Sequence, residues 1–161
     1  MIVVDAAPLI YYSRIARLEL LKQLYDKLVI PQAVWDEVVT NAQGRPGASE
    51  VEKGVREGWI NTMKPSPAKM LASEGTVGAD AEVIALARKM KLPLLTNDRT
   101  LALIAKTHGV KTKWLTQTVI EAVHDKIITR TEARKLLRDL VRAGLRVRSE
   151  VLTEVIHMLE K

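Results

Sequence analysis

The stretch Leu28-Val29-Ile30-Pro31-Gln32-Ala33-Val34-Trp35-Asp36-Glu37-Val38-Val39-Thr40 turns a short β-branched run into a helical pattern with no loop between them. Pro31 stands where proline suits a first helical turn, since its missing N–H is not needed there. Val34 and Val38, spaced i, i+4, mark a buried face, so Glu37 is expected on their side and Asp36 pointing away. Similar apolar runs recur at Ile2–Val4, Ile60–Thr62, Leu94–Thr96 and Val110–Trp114. Helical patterns separate them at Leu9–Ile15, Leu18–Tyr25, Glu50–Glu57, Ala79–Met90, Thr100–Thr107 and Thr116–Asp125. Strands alternating with helices predict an α/β fold with a central, mainly parallel sheet.

The remaining chain is punctuated by two Pro/Gly loops, Asn41–Ala48 and Lys64–Val77, the second expected to cover or border a site. Thr129 and Glu132 form a Thr-x-x-Glu capping box for a helix reaching about Ala143; Gly144 stops it, and a last helix follows from Ser149. This predicts a helical hairpin at residues 126–161 packed on the same domain as residues 1–125. At 161 residues, 47% hydrophobic and 27% charged, the chain suits one domain with one core. No apolar run approaches the ~20 residues that cross a bilayer, and Met1–Val4 opens as a strand without a basic leader, so a cytoplasmic protein with no membrane contact is expected.

With no cysteine and three scattered histidines, metal chemistry would fall to carboxylates, which favour a hard cation. A formal charge of +6 favours polyanionic partners. Arg130, Arg134, Arg138 and Arg142 recur at i+4, which suits either a phosphate-tracking stripe for RNA or a solvated amphipathic face.

In an open parallel sheet, functional groups gather at the carboxyl ends of the strands. Asp5 directly follows the first run, and Asp98 sits two residues past the fourth. Asp80 lies in the first turn of a helix whose buried face includes Ile84 and Ala87, so it is expected to project inward, with Glu82 rotated roughly 200° away. Two carboxylates ~4 Å apart repel by about 4 kcal/mol at an effective dielectric near 20, so such a cluster needs a cation or protons. Taken singly, each acid is more simply a cap or a surface charge.

The segments Val4-Asp5-Ala6-Ala7-Pro8-Leu9-Ile10, Leu28 to Val38, Gly78-Ala79-Asp80-Ala81-Glu82-Val83-Ile84 and Leu94-Leu95-Thr96-Asn97-Asp98 resemble, in order, the four acidic motifs of the PIN-domain family. The resemblance covers about residues 1–120. It implies a three-layer α/β/α fold and a VapC-like endoribonuclease that hydrolyses RNA with Mg²⁺ or Mn²⁺ held by Asp5, Glu37, Asp80 and Asp98. It also implies a homodimer and either the toxin of a toxin–antitoxin pair, with a small antitoxin protein covering the site, or an RNA-processing enzyme. Pro8-Leu9-Ile10, the Gly44–Gly47 loop and Gly144-Leu145-Arg146-Val147 resemble a prokaryotic branch with an added C-terminal helical pair. That branch has Gly-Glu-Ala-Glu in its third motif, whereas here Asp80 takes the first acidic position and Glu82 the second. Either fits as a ligand; Asp80 is preferred, as in VapC-like sequences. Where the branch often has a further aspartate, Asn97 stands.

Leu9, Ile10, Ile15, Leu18 and Leu21 suit core or a dimer contact. Trp35 and Trp59 read as core or boundary residues, and His108, His124 and His157 as surface residues. The rivals are a non-catalytic RNA- or partner-binding module with a degenerate PIN site and an aspartyl-phosphate phosphatase. The second wants an acid two residues after Asp5, where Ala7 stands.

Overall fold

The computed structural model describes residues 1–65, 71–72 and 74–160. Five strands, β1 (Ile2–Val4), β2 (Leu28–Pro31), β3 (Ile60–Met63), β4 (Leu94–Leu95) and β5 (Thr112–Lys113), form one all-parallel sheet in the order β3-β2-β1-β4-β5. Central strands β1 and β2 are buried along their whole length, which explains their unbroken apolar sequence. At the edges, β3 exposes Asn61, Thr62 and Met63, and β5 is only two residues long. β4 and β5 are shorter than their apolar runs suggest.

The helices are α1 (Ala6–Arg14), α2 (Glu19–Tyr25), α3 (Gln32–Trp35, continuing as a π-turn over Asp36–Thr40), α4 (Ala48–Glu57), α5 (Gly78–Met90), α6 (Arg99–Thr107), α7 (Leu115–His124), α8 (Arg130–Arg142) and α9 (Ser149–Glu160). Helix α5 packs across β1, β2 and β4, while α2 packs against β2 and α7. The result is the three-layer α/β/α arrangement expected.

Helices α8 and α9 pack on each other and on α7. Leu136, Leu137, Leu140, Leu145, Val155 and Leu159 join the same core cluster as Val3 and Leu95. The Thr129 box forms as read: Glu132 N–H donates to Thr129 Oγ1 (3.1 Å) and Thr129 N–H to Glu132 Oε2 (2.7 Å). Between α8 and α9, Arg14 of α1 donates to the Ala143 carbonyl at 2.8 Å. Gly144 there has φ +116°, a backbone conformation that residues bearing a Cβ rarely adopt.

Helix α3 departs from expectation. From Asp36 it winds as a π-turn, with Asn41 N–H donating to the Asp36 carbonyl at 2.8 Å, so the 3.6-residue wheel fails beyond Trp35. Val38 and Val39 are then both buried, Glu37 is exposed, and Asp36 is half-buried, accepting from Gln32 Nε2 (3.0 Å) and Thr40 Oγ1 (3.3 Å). Of the early apolar residues, Leu9, Leu18 and Leu21 are buried, and Ile10 and Ile15 pack partly against the core. Trp59 is buried and Trp35 lies at the core boundary. His108 is not a surface residue: its side chain is 3% exposed and its ring bonds Glu74 at 2.9 Å, a partner supplied by a distant loop. The expectation that loop Lys64–Val77 covers a site lies, at 66–70 and 73, outside the described residues.

Candidate metal centre

The chain runs outward from β1 through β2 to β3, then returns to add β4 and β5 on the other side. The switch point therefore lies between β1 and β4, where parallel α/β sheets form their crevice. Asp5 leaves β1 there, its N–H donating to the Leu95 carbonyl at 3.0 Å, which extends the ladder to β4 by one residue. Its carboxylate also caps α1: Asp5 Oδ1 accepts from Ala6 N–H at 2.8 Å.

Thr96, fully buried, joins Asp5 to Asp98. Its hydroxyl donates to Asp5 Oδ2 at 3.0 Å and accepts from Asp98 N–H at 3.0 Å. Asp98 in turn caps α6, its Oδ1 accepting from Leu101 N–H at 3.0 Å. A buried threonine in an apolar run reads simply as a β-former. Only the Thr-x-Asp spacing hinted at this role, and sequence reasoning did not count Thr96 as a site residue.

Asp80 and Glu37 complete the electrostatic group from helices. Asp80 is exposed rather than inward-facing, because the first turn of α5 precedes the part that covers the sheet; Ala81 is the first residue of that helix to be buried. Glu37 is likewise exposed, for the π-turn reason given above. Both still act on Asp5. Burial raises the Asp5 pKa, hydrogen bonds from Ala6 and Thr96 oppose this, and the charges of Asp80 and Glu37 raise it further. Asp80 is raised as well, by partial burial and then by Asp98.

Glu82 serves α3: Ala33 N–H donates to its Oε1 at 3.3 Å. Pro31, the residue before that helix, offers no side-chain acceptor, so a neighbouring helix supplies the cap.

Asp5 thus feels Glu37 and Asp80, and Asp80 feels Asp98, yet among the described residues no three acidic or histidine side chains are already close enough to enclose an ion. Both statements hold together, because charge acts over longer distances than coordination. The donor set fits a hard divalent cation: it is all oxygen, and it places further negative charge beside Asp5, whose pKa is raised first by burial and then by Asp80 and Glu37. Such a cation would have to draw the helix-borne acids inward.

A sequence-family model described as a PIN domain matches residues 1–161. PIN domains are a nuclease superfamily that generally uses divalent metals. Among solved structures, a domain of a functionally unknown protein from Methanocaldococcus jannaschii DSM 2661 is similar at 23% identity and a TM-score of 0.48, covering 71% of this chain and 89% of that one. No curated protein matches.

Proposed function

Since the chain belongs to the PIN-domain family, we propose that it is a metal-dependent endoribonuclease in which Asp5, Glu37, Asp80 and Asp98 hold Mg²⁺ or Mn²⁺ and RNA phosphodiesters are hydrolysed at the carboxyl edge of the sheet. We assign the chemistry to residues 1–125, with residues 126–161 a helical hairpin packed on the same domain. The observation that carries this reading is Asp5, whose pKa is raised by burial and by two neighbouring carboxylates although two hydrogen bonds favour its charged form.

When bound, the metal supplies Lewis acidity and neutralises charge on the phosphodiester. The chain's own groups do the positioning. Asp5 and Asp98 are fixed through Thr96, whose hydroxyl is committed to both hydrogen bonds and is therefore no nucleophile. No protein nucleophile is needed in this reading: a water activated at the metal would be the attacking group. Glu37 and Asp80, exposed and without side-chain hydrogen bonds among the described residues, are able to move toward an ion.

The test is cleavage of a mixed RNA pool by wild type and Asp5→Asn, with Mg²⁺, with Mn²⁺ and with excess EDTA. We expect metal-dependent cutting that the substitution abolishes. The second reading, a binding module with a degenerate site, is favoured by the open spacing of the acids. It predicts no cutting under any condition and weak, unselective metal binding by a folded protein.

A further inference from the structure

Beside the acidic edge, Asn97 and Arg99 flank Asp98 and also line a cleft of about 360 Å³, whose far wall is the Arg146-Val147-Arg148 segment leading into α9. Trp114, the residue before α7, lines it as well. A second cleft, of about 620 Å³, continues from the first through the shared residues Arg99 and Trp114 and runs beside β5 to Lys106 and Lys111.

Neither lining contains a carboxylate. Arg99, Arg146 and Arg148 are exposed, and among the described residues none pairs with an acid. Five cations therefore border two adjoining clefts, a trough that begins next to Asp98. Trp114 is half-buried, is not part of the core cluster to which Trp35 and Trp59 belong, and lines both clefts.

We propose that this trough holds the single-stranded RNA adjoining the scissile phosphate, with Arg99, Arg146 and Arg148 on phosphates and Trp114 stacked on a base. The inference rests on the reading of the acidic edge as the cutting site. An unpaired strand fits best, because a base can reach a ring face only when it is out of a duplex, and basic grooves with aromatic platforms are how such strands are held. The Arg134–Arg142 series suggested by sequence lies elsewhere: with Leu137, Val141, Leu152 and Ile156 it lines a separate cleft between α8 and α9 that contains no residue of the acidic edge.

The test is fluorescence anisotropy of a dye-labelled, mixed-sequence single-stranded RNA in EDTA, so that binding is read without cleavage. Arg146→Ala/Arg148→Ala should weaken binding at least tenfold and flatten the salt dependence of log K by about 1.4, or about 0.7 for each phosphate no longer neutralised. Trp114→Leu should weaken it about tenfold and Trp114→Phe should restore most of that, as stacking requires. Arg134→Ala/Arg138→Ala removes the same charge and should cost less than threefold. Equal losses for the two arginine pairs, or no loss in a Trp114→Leu protein with native circular dichroism, would overturn the proposal. The expected pattern in a protein that cuts no RNA would sink the nuclease reading and keep the trough; cutting without the pattern would do the reverse.

Discussion

Asp5 and Asp98 are held by a buried hydroxyl and by the amides of the helices they cap, whereas Glu37 and Asp80 stand in solvent with no side-chain hydrogen bond among the described residues. The strand-borne pair is organised before any ion arrives. The helix-borne pair has no such tether among the described residues. Pre-positioned groups lose little freedom when a ligand binds, while mobile ones must be ordered by it. The difference therefore separates the residues that create a binding point from those that close around it. Asp5 touches both halves, through Thr96 on one side and through the charges of Asp80 and Glu37 on the other.

The sharpest way to break this division is Asp5→Asn, which keeps the shape and removes the charge. RNA cleavage is expected to fall to background while the protein stays folded, as read by product formation and circular dichroism. Residual cleavage near the wild-type rate would place the chemistry elsewhere. Next comes Thr96→Val, which removes one hydroxyl and with it both fixed hydrogen bonds. Partners that orient metal ligands typically contribute 10- to 100-fold, so activity should drop by about that factor, and Thr96→Ser should recover most of it. If Thr96→Val were as active as wild type, the strand-borne half would need no tether.

The two acids of α5 offer a finer contrast. Asp80→Asn should weaken Mn²⁺ binding in a calorimetric titration, whereas Glu82→Gln should leave it unchanged. Glu82→Ala should instead destabilise the fold, because the start of α3 loses an acceptor, a loss typically of about 0.5–2 kcal/mol. A drop in metal affinity for Glu82→Gln equal to that for Asp80→Asn would reverse the assignment.

This same contrast marks what was legible in the sequence. The strand-borne acids could be placed because a buried parallel strand is an unbroken apolar run, and whatever follows it lies at the sheet edge. The helix-borne acids were located but mis-oriented. The π-turn over Asp36–Thr40 shifts the residues that follow off a fixed helical period, and the reach of α5 past the sheet depends on packing. His108 escaped for a related reason: its partner Glu74 belongs to another loop. The trough was invisible for the same cause, since Arg146 and Trp114 meet Asn97 only through the tertiary fold. The arginine series was conspicuous as a pattern, yet three of its four members, Arg134, Arg138 and Arg142, line a different cleft.

The smallest expected effect concerns stability and probes Asp5 as the link between the two halves. Burial and neighbouring carboxylates raise its pKa in the folded protein above the ordinary value of 3.8, so the folded state takes up the proton more readily than the unfolded chain does. The stability gained from the protonated group is therefore complete below about pH 3.8 and lost as pH rises through the folded value. Asn at this position resembles a carboxyl that is always neutral. In EDTA, Asp5→Asn should thus melt above wild type at neutral pH, and the gap should close as the pH falls toward 4. Mn²⁺ should narrow the gap from the other side, by stabilising wild type at neutral pH and not the variant. Scanning fluorimetry across pH, with and without Mn²⁺, measures all three quantities. A gap that is independent of pH would mean that the substitution acts through packing, and that burial and neighbouring charge do not disfavour the Asp5 carboxylate.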